Sequence, residues 1–388
     1  DEVFNIIKSK IENSNKDKIC GFVGDLVNME TSFIFKEFFD RTIDNKNYES
    51  RSTNRFIDIS QRENYLFNST INGIEDSDFI LLVGTNPRYE ATIVNARIRK
   101  SYLNNNIKIV SINDIGDLTY PYIRLDGKTK TIKNIFEGKH DISNDILNSK
   151  KPMIIIGESL LNINSANYFF SLIKEFLLKN KKFSENWNPL NILSTDAATV
   201  GNFDLDILNQ KKDLIKDLYD NKFDIVFLLG QDNLNFNKNN EFVIYQGSHG
   251  DKGAEIADVI LPGAAYTEQS GYYTNLEGKI QKSYKASYPP GKAKEDWEII
   301  NNLAEVLNNR KLFNDKEELE SSMFNYLKLK DDNKNGTRKN FIEGNFIDQN
   351  LDMNIKEYYF SNVIARASKT MLDCFNSKID IKKTGTEG

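Results

Sequence analysis

Cysteine and histidine are nearly missing from this 388-residue chain, which holds two of each: Cys20 and Cys374 at opposite ends, and His140 and His249 far apart. No zinc spacing can be drawn from that set, and an iron–sulfur cluster wanting about four thiolates cannot be built. A disulfide framework is excluded as well. Cys20 enters an apolar strand and reads as a small buried hydrophobe; Cys374 is read the same way. Long apolar runs are also lacking. The longest, such as Phe79 to Val83 and Ile225 to Leu229, fall far below the roughly 18 residues of a spanning helix. Charge of one sign is not in excess, with a net charge of -5 and a pI near 5.5, so the balance suggests neither a nucleic-acid surface nor an electrostatic membrane anchor. The first residues, DEVFNIIKSKIENSNKDK, show no apolar signal core and no Arg-rich transit pattern. The reading is that a presequence has been removed or that the chain begins inside a longer gene product. Asn, Lys and Ile are abundant and Gly, Pro and Ala sparing, a bias that fits AT-rich coding and an organellar genome.

What is present is a chain long enough for two or three domains, with 39% hydrophobic residues to fill their cores. The most informative stretch runs from Asp78 to Lys100, DFILLVGTNPRYEATIVNARIRK. Phe79, Ile80, Leu81, Leu82 and Val83 form the unbroken run of a strand covered on both faces. Gly84 ends it, and Asn86-Pro87 make a turn whose proline suits a first helical position. Glu90 falls in the opening turn of the helix, and Arg97, Arg99 and Lys100 are assigned to the closing one, as the macrodipole favours. Ala91, Val94, Ile98 and Tyr102 recur at helical spacing and form the face that packs on a sheet.

Strands and helices then alternate along the chain. Lys18–Asp25, Arg55–Ser60, the run at Phe79 and Asn106–Asn113 read as strands, with Met29, Phe33, Phe35 and Phe38 marking a helix after the first. Lys151 and Pro152 break the pattern, and Pro152–Ser159 opens a second unit whose helix carries Tyr168, Phe169, Phe170, Leu172, Ile173 and Phe176. Phe223–Asp232, Phe242–Gly247 and Ala257–Gly263 follow as strands. The expected division is a first α/β unit over 1–148 and a second over 149–265. An extended arm and helices follow over 266–330, then a linker and C-terminal helix over 331–388. Such alternation implies parallel sheets covered on both faces. The charged, Asn-rich stretch Lys328–Asn350 reads as a solvent loop, and a last helix is predicted over Ser361–Leu372 with Ser361 as N-cap.

Several separated motifs agree with one family in order and spacing. They are GTNPRYEATIVNARIRKSYL, FLLGQD, IYQGSHGDKGAEIADVILPGAAYTEQSGYYTNLEGKIQ, PPGKAKEDW and SNVIARASKTM. Together they resemble the C-terminal half of the large iron–sulfur subunit of respiratory complex I, NADH:ubiquinone oxidoreductase. That half is in turn similar to the molybdopterin oxidoreductases (formate dehydrogenase and DMSO reductase-like enzymes), which share Ala257 to Pro262, Glu268 and Asn275 to Gly278. The resemblance implies an α/β fold of two Rossmann-like units with parallel sheets. It also implies a place in the peripheral arm, on the matrix side of the mitochondrial inner membrane, beside other complex I subunits and the cluster-bearing N-terminal part of the same subunit. Iron–sulfur clusters belong to that other part, and none is expected in this segment.

In the molybdopterin relatives two α/β units hold dinucleotide groups at strand ends, where turn amides and helix N-termini receive phosphates. Gly84–Arg88 and Gly230–Asn233 occupy corresponding positions. These turns carry Glu90 and Asp232 instead of a Gly-rich cradle, and an acid beside a phosphate is repulsive. The reading is a retained fold without molybdopterin, in which no catalytic, cofactor-binding or metal-binding residue is assigned. A domain that still binds a pterin or nucleotide is the alternative, and a free-standing nucleotide-binding protein the third.

Other constellations read as structural. His249 and Asp251 suggest an acid/base pair, but side chains two apart diverge in most loops, and a backbone-bonded histidine is expected. Gly157, Glu158 and Ser159 begin like a nucleophile elbow, yet Leu161 stands where its second glycine belongs, which leaves Ser159 a turn residue. Glu268, Asn275, Glu277 and Gln281 read as a polar arm bonding its own neighbours. Arg88, Arg97 and Arg99 suit pairing with acidic neighbouring subunits, set against a solvated helix face that also takes in Lys100.

Overall fold

The computed structural model describes residues 2–333 and 344–384. Apolar residues alternate their burial direction along the inner strands, so the central part of two five-stranded parallel sheets is covered on both faces. The first sheet is built from β1 (Ile19–Val23), β2 (Tyr48–Glu49), β8 (Ile225–Leu229), β9 (Phe242–Gly247) and β10 (Val259–Pro262), in the order β10-β9-β8-β1-β2. The second holds β3 (Phe79–Val83), β4 (Lys108–Ser111), β5 (Ile123–Arg124), β6 (Pro152–Gly157) and β7 (Leu190–Leu193), in the order β5-β4-β3-β6-β7. An antiparallel hairpin, β11 (Gly271–Thr274) with β12 (Ile280–Ser283), forms the expected arm.

The sheets are interleaved in sequence and do not divide at 148/149. β1 pairs with β8 in register from Ile19↔Ile225 to Val23↔Leu229, and β3 pairs with β6 from Phe79↔Pro152 to Val83↔Ile156. The unit holding β3 to β7 is therefore enclosed between two halves of the other. Backbone pairing over about 200 residues of sequence leaves no mark on local periodicity.

On one face of the first sheet, Ile19, Val23, Ile225, Phe227 and Leu229 meet the helices Met29–Phe38 and Asp296–Asn308. On the other, Cys20, Phe22, Val226 and Leu228 meet the helix Leu214–Tyr219. The second sheet repeats this: Leu81, Val83, Ile154 and Ile156 pack on Phe169, Phe170 and Ile173, while Ile80, Leu82, Met153 and Ile155 pack on Val94 and Ile98.

Four expectations are corrected. Arg55–Ser60 is not a strand; Phe56 donates its N–H to Leu161 O, and Asp58 accepts from Ser60 N and Asn64 Nδ2, so its backbone and acid are committed to loop contacts. The helix after Pro87 is broken at Ala91 (φ -153, ψ 72) into Pro87–Glu90 and Thr92–Asn105, and it outruns Arg97, Arg99 and Lys100 to end at left-handed Asn106. The last helix is likewise two, Val363–Ala367 and Lys369–Thr384, and its N-cap is Asn362, whose side chain accepts Ala365 N–H, not Ser361. Of the stretch read as a loop, Lys328–Asn333 completes a helix begun at Lys316, and residues 344–350 dock on the second sheet's unit through Phe346 and the Gln349–Thr129 backbone bond; 334–343 lie outside the described residues.

Candidate functional site

Parallel sheets aim the C-terminal ends of their strands at one crevice, where open α/β folds bind ligands. Four such ends carry an acid shortly after a glycine: Gly24-Asp25, Gly84 to Glu90, Gly157-Glu158 and Gly230 to Asp232. The geometry of each carboxylate decides what the crevice can accept.

At the end of β3, left-handed Gly84 (φ 65) lets the chain turn, and a Cβ there would stand 2.5 Å from Leu160 N. Asn86 caps the short helix by accepting Arg88 N–H at 3.1 Å. Glu90 Oε2 accepts the Asn86 backbone N–H at 2.6 Å and the Thr85 hydroxyl at 2.7 Å. The turn amide that would face an incoming phosphate is thus satisfied by the chain's own acid. Burial pushes the Glu90 carboxyl up to about 7 against the pull of those two hydrogen bonds.

At the end of β8, Asp232 is likewise committed within the chain, but to groups of and after β9. Its oxygens accept the Tyr245 hydroxyl at 2.8 Å and Gly253 N–H at 3.0 Å, and burial raises it above the usual carboxylate range. Glu158, beginning the helix after β6, forms a buried ion pair with Arg55. Asp25, after β1, is pushed to about 6 by burial and by the charge of Asp196, which follows β7 of the other sheet.

Lys356 joins those two acids. Its ammonium lies 3.1 Å from Asp25 Oδ2 and 2.9 Å from Asp196 Oδ1, and their charges raise its pKa despite partial desolvation. The segment bearing it runs along the strand ends: Asn354 N–H donates to Ser159 Oγ at 3.0 Å, and Arg366 pairs with Asp251. The chain's own tail therefore lies across the crevice. What remains open is a cleft of about 580 Å³, with Glu90, Ile93, Asp196, Tyr273, Leu276 and Lys356 on its walls.

The residues singled out from sequence fall as follows. Gly84–Arg88 and Gly230–Asn233 do sit at two of the corners facing this crevice. His249 Nδ1 lies 2.9 Å from Ser248 Oγ, while Asp251 turns to Arg366, so no acid/base pair forms. Ser159 is buried and its hydroxyl accepts from the tail. Glu268 and Asn275 bond neighbouring backbone, whereas Glu277 accepts Ile71 N–H at 2.6 Å and so ties the arm to the second unit. Gln281 lines the cleft without meeting those three. The arginines are engaged within the chain: Arg88 with Asp117, Arg97 and Lys100 with Glu75, and Arg99 Nε with Thr119 O. Asp25, Asp196, Arg55 and Lys356 were not picked out. A readable signal existed for Asp25, since the glycine-then-acid ending of its strand recurs after β6 and β8.

A phosphate-bearing pterin dinucleotide fits this donor set poorly. Acids hold the Asn86 turn amide and the Gly253 helix amide, a third corner is an ion pair, and neither cysteine lines the cleft: Cys20 is buried in β1 as expected, whereas Cys374, read from the sequence as buried, is exposed on the last helix. Among the described residues, no three His, Cys, Asp or Glu side chains group to hold a metal ion.

The fold defines a doubly covered α/β protein of two parallel sheets, and the molybdopterin oxidoreductase model matches residues 1–306, so the chain belongs to that family. A second model, for the C-terminal region of the NADH-ubiquinone oxidoreductase G subunit, matches residues 318–374. The chain is 36% identical over 400 residues to the NADH-ubiquinone oxidoreductase 75 kDa subunit of Reclinomonas americana, covering 96% of this chain and 57% of that protein. It is 35% identical to the mitochondrial 78 kDa subunit of Candida albicans (96% and 53% covered) and 34% identical to the NADH-quinone oxidoreductase G subunit of Rickettsia bellii (99% and 56%). The chain thus spans somewhat over half the length of these relatives. The solved acetylene hydratase of Pelobacter acetylenicus aligns with a TM-score of 0.48 at 12% identity, over 82% of this chain and 60% of that one.

Proposed function

We propose that this chain is the non-catalytic scaffold segment of a core peripheral-arm subunit of NADH:ubiquinone oxidoreductase. It supports electron transfer from NADH to ubiquinone by holding the cluster-bearing part of its subunit and by offering docking surface to neighbouring subunits. It binds no molybdopterin and no iron–sulfur cluster of its own, and it works on the matrix side of the mitochondrial inner membrane. The observation that carries this reading is the crevice, where Glu90 holds the turn amide after β3, Asp232 holds the Gly253 amide after β9, and the tail crosses the mouth at Lys356. The relatives' names supply the assembly. Among the described residues no helix is long and apolar enough to cross a membrane.

Native-gel separation with an in-gel NADH-oxidation stain tests the assignment: the chain is expected to migrate with the stained assembly. Metal and pterin analysis of the purified chain tests the scaffold role. Stoichiometric molybdenum or tungsten with pterin would overturn it in favour of a cofactor-binding oxidoreductase domain, for which the 580 Å³ cleft would then be the place.

A further inference from the structure

The outer edge of the first sheet combines three features that are separate in sequence. β10 ends the sheet, and among the described residues no named strand lies on its far side; the segment at Lys294 bridges its C-terminal end in parallel at Gly263, its N–H donating to Pro262 O at 3.2 Å. Ile260, in the middle of β10, is 54% exposed. On the other face of the strand, at Leu261, opens a groove of about 400 Å³ with apolar walls from Phe4, Pro262 and Ile299 and with Glu305, Lys292 and Lys294 among its lining. Both lysines are exposed, and neither has a carboxylate partner among the described residues. The acids nearby are committed: Glu305 to Lys311, Asp258 to Lys238, and Glu295 to Lys316 and Lys285.

The loop that carries the lysines is held in place before any partner arrives. Pro289 and Pro290 restrict it, Ala293 N–H donates to Pro290 O at 3.0 Å, and Ala286 and Ser287 both donate to Thr267 O. A preformed site loses little ordering entropy on binding. Uncommitted positive charge on a chain of net charge -5 selects an acidic partner over a basic one. An unpaired strand edge next to an apolar groove is the arrangement that receives an added strand, with backbone bonds giving affinity and one side-chain pocket giving selectivity.

We propose that this edge docks an extended acidic segment of another subunit, which adds along β10, seats one apolar side chain in the groove and sets carboxylates against Lys292 and Lys294. The inference rests on the subunit reading above. Carbodiimide coupling of the native NADH-oxidising assembly, which joins touching amines and carboxylates directly, is expected to link Lys292 or Lys294 to an Asp or Glu of a different polypeptide. The double variant Lys292→Glu/Lys294→Glu should reduce the share of chain migrating with the assembly several-fold, while Lys292→Arg/Lys294→Arg retains it. Links confined to this chain, or a charge-reversed variant that assembles like the unaltered protein, would overturn the inference. So would self-association of the charge-reversed chain with assembly intact, since the lysines would then only guard the edge. Binding to phosphatidylcholine–phosphatidylglycerol vesicles that the reversal abolishes would overturn it in favour of a lipid surface. Failure of the unaltered chain to migrate with any NADH-oxidising assembly would sink the subunit reading as well, whereas migration without such links sinks this inference alone.

Discussion

The Glu90 carboxylate accepts the Asn86 backbone N–H at 2.6 Å, closing from within the turn that follows β3. Burial holds this acid at about 7, above its ordinary 4.5. A carboxyl raised on folding contributes stability that is complete below its unfolded pKa and is lost as pH rises through the folded one. Chemical unfolding of the unaltered protein should therefore weaken between about pH 4.5 and 7, and Glu90→Gln should flatten that slope by on the order of 2 kcal/mol. Equal slopes in the two proteins would show that the acid is not held as described.

Glu30 allows the same measurement at a fully buried position. It is 1% exposed, one oxygen accepts Tyr272 N–H at 2.8 Å, the other lacks a partner, and burial pushes it to about 7. Above pH 7 Glu30→Gln is expected to be more stable than the unaltered protein, with the order reversed or equal at pH 4.5. A variant less stable at both ends would count against a neutral carboxyl here.

Removing Lys356 should loosen the crevice. About two-fifths of its side chain is exposed, so solvent screening limits the cost of Lys356→Ala to roughly 1 kcal/mol at pH 8. Asp25, at about 6, takes up a proton more readily once the ammonium is gone, so the cost should shrink toward pH 5. Hydrogen exchange read by mass spectrometry is expected to quicken at Gly24–Asn28 and Ser194–Ala198; unchanged exchange in both segments would dismiss the tie.

Arg55 and Glu158 form a buried pair, 8% and 12% exposed in their side chains. Deleting one partner strands the other, at about 3–5 kcal/mol. Arg55→Met and Glu158→Met should each lose that much, while the double variant loses far less than their sum. Additive losses in this cycle would show that the pair is not coupled.

Thiol labelling separates the two cysteines. Cys20 is fully buried and burial pushes its thiol well up, whereas Cys374 is exposed. One thiol per native chain is expected to react with a disulfide reagent, and the second only on unfolding; two fast thiols would contradict the placement of β1.

Much of the fold was readable because a strand covered on both faces must be apolar throughout, as Phe79–Val83 and Ile225–Leu229 are. Arg55–Ser60 misled because Phe56 and Ile57 are apolar for a different reason: they pack from a loop onto neighbouring clusters. The true second strand, Tyr48–Glu49, is two residues long in polar surroundings and leaves no pattern to read. At the site, Glu90 and Asp232 were visible as acids in turns where a phosphate cradle would be glycine-rich. Lys356 was not, because its meaning depends on Asp25 and Asp196, which come from different sheets and lie more than 150 residues away in the chain.

The interleaving of the sheets also orders events during synthesis. β1 is made before β3 to β7, but its central partner β8 does not exist until Leu229 has been added. β3 to β7 are all in hand by Leu193. The growing chain can thus close its inner unit while the outer one waits with β1 open on its β8 side, so of the two units the one begun first is finished last and is the one exposed to aggregation in the interval.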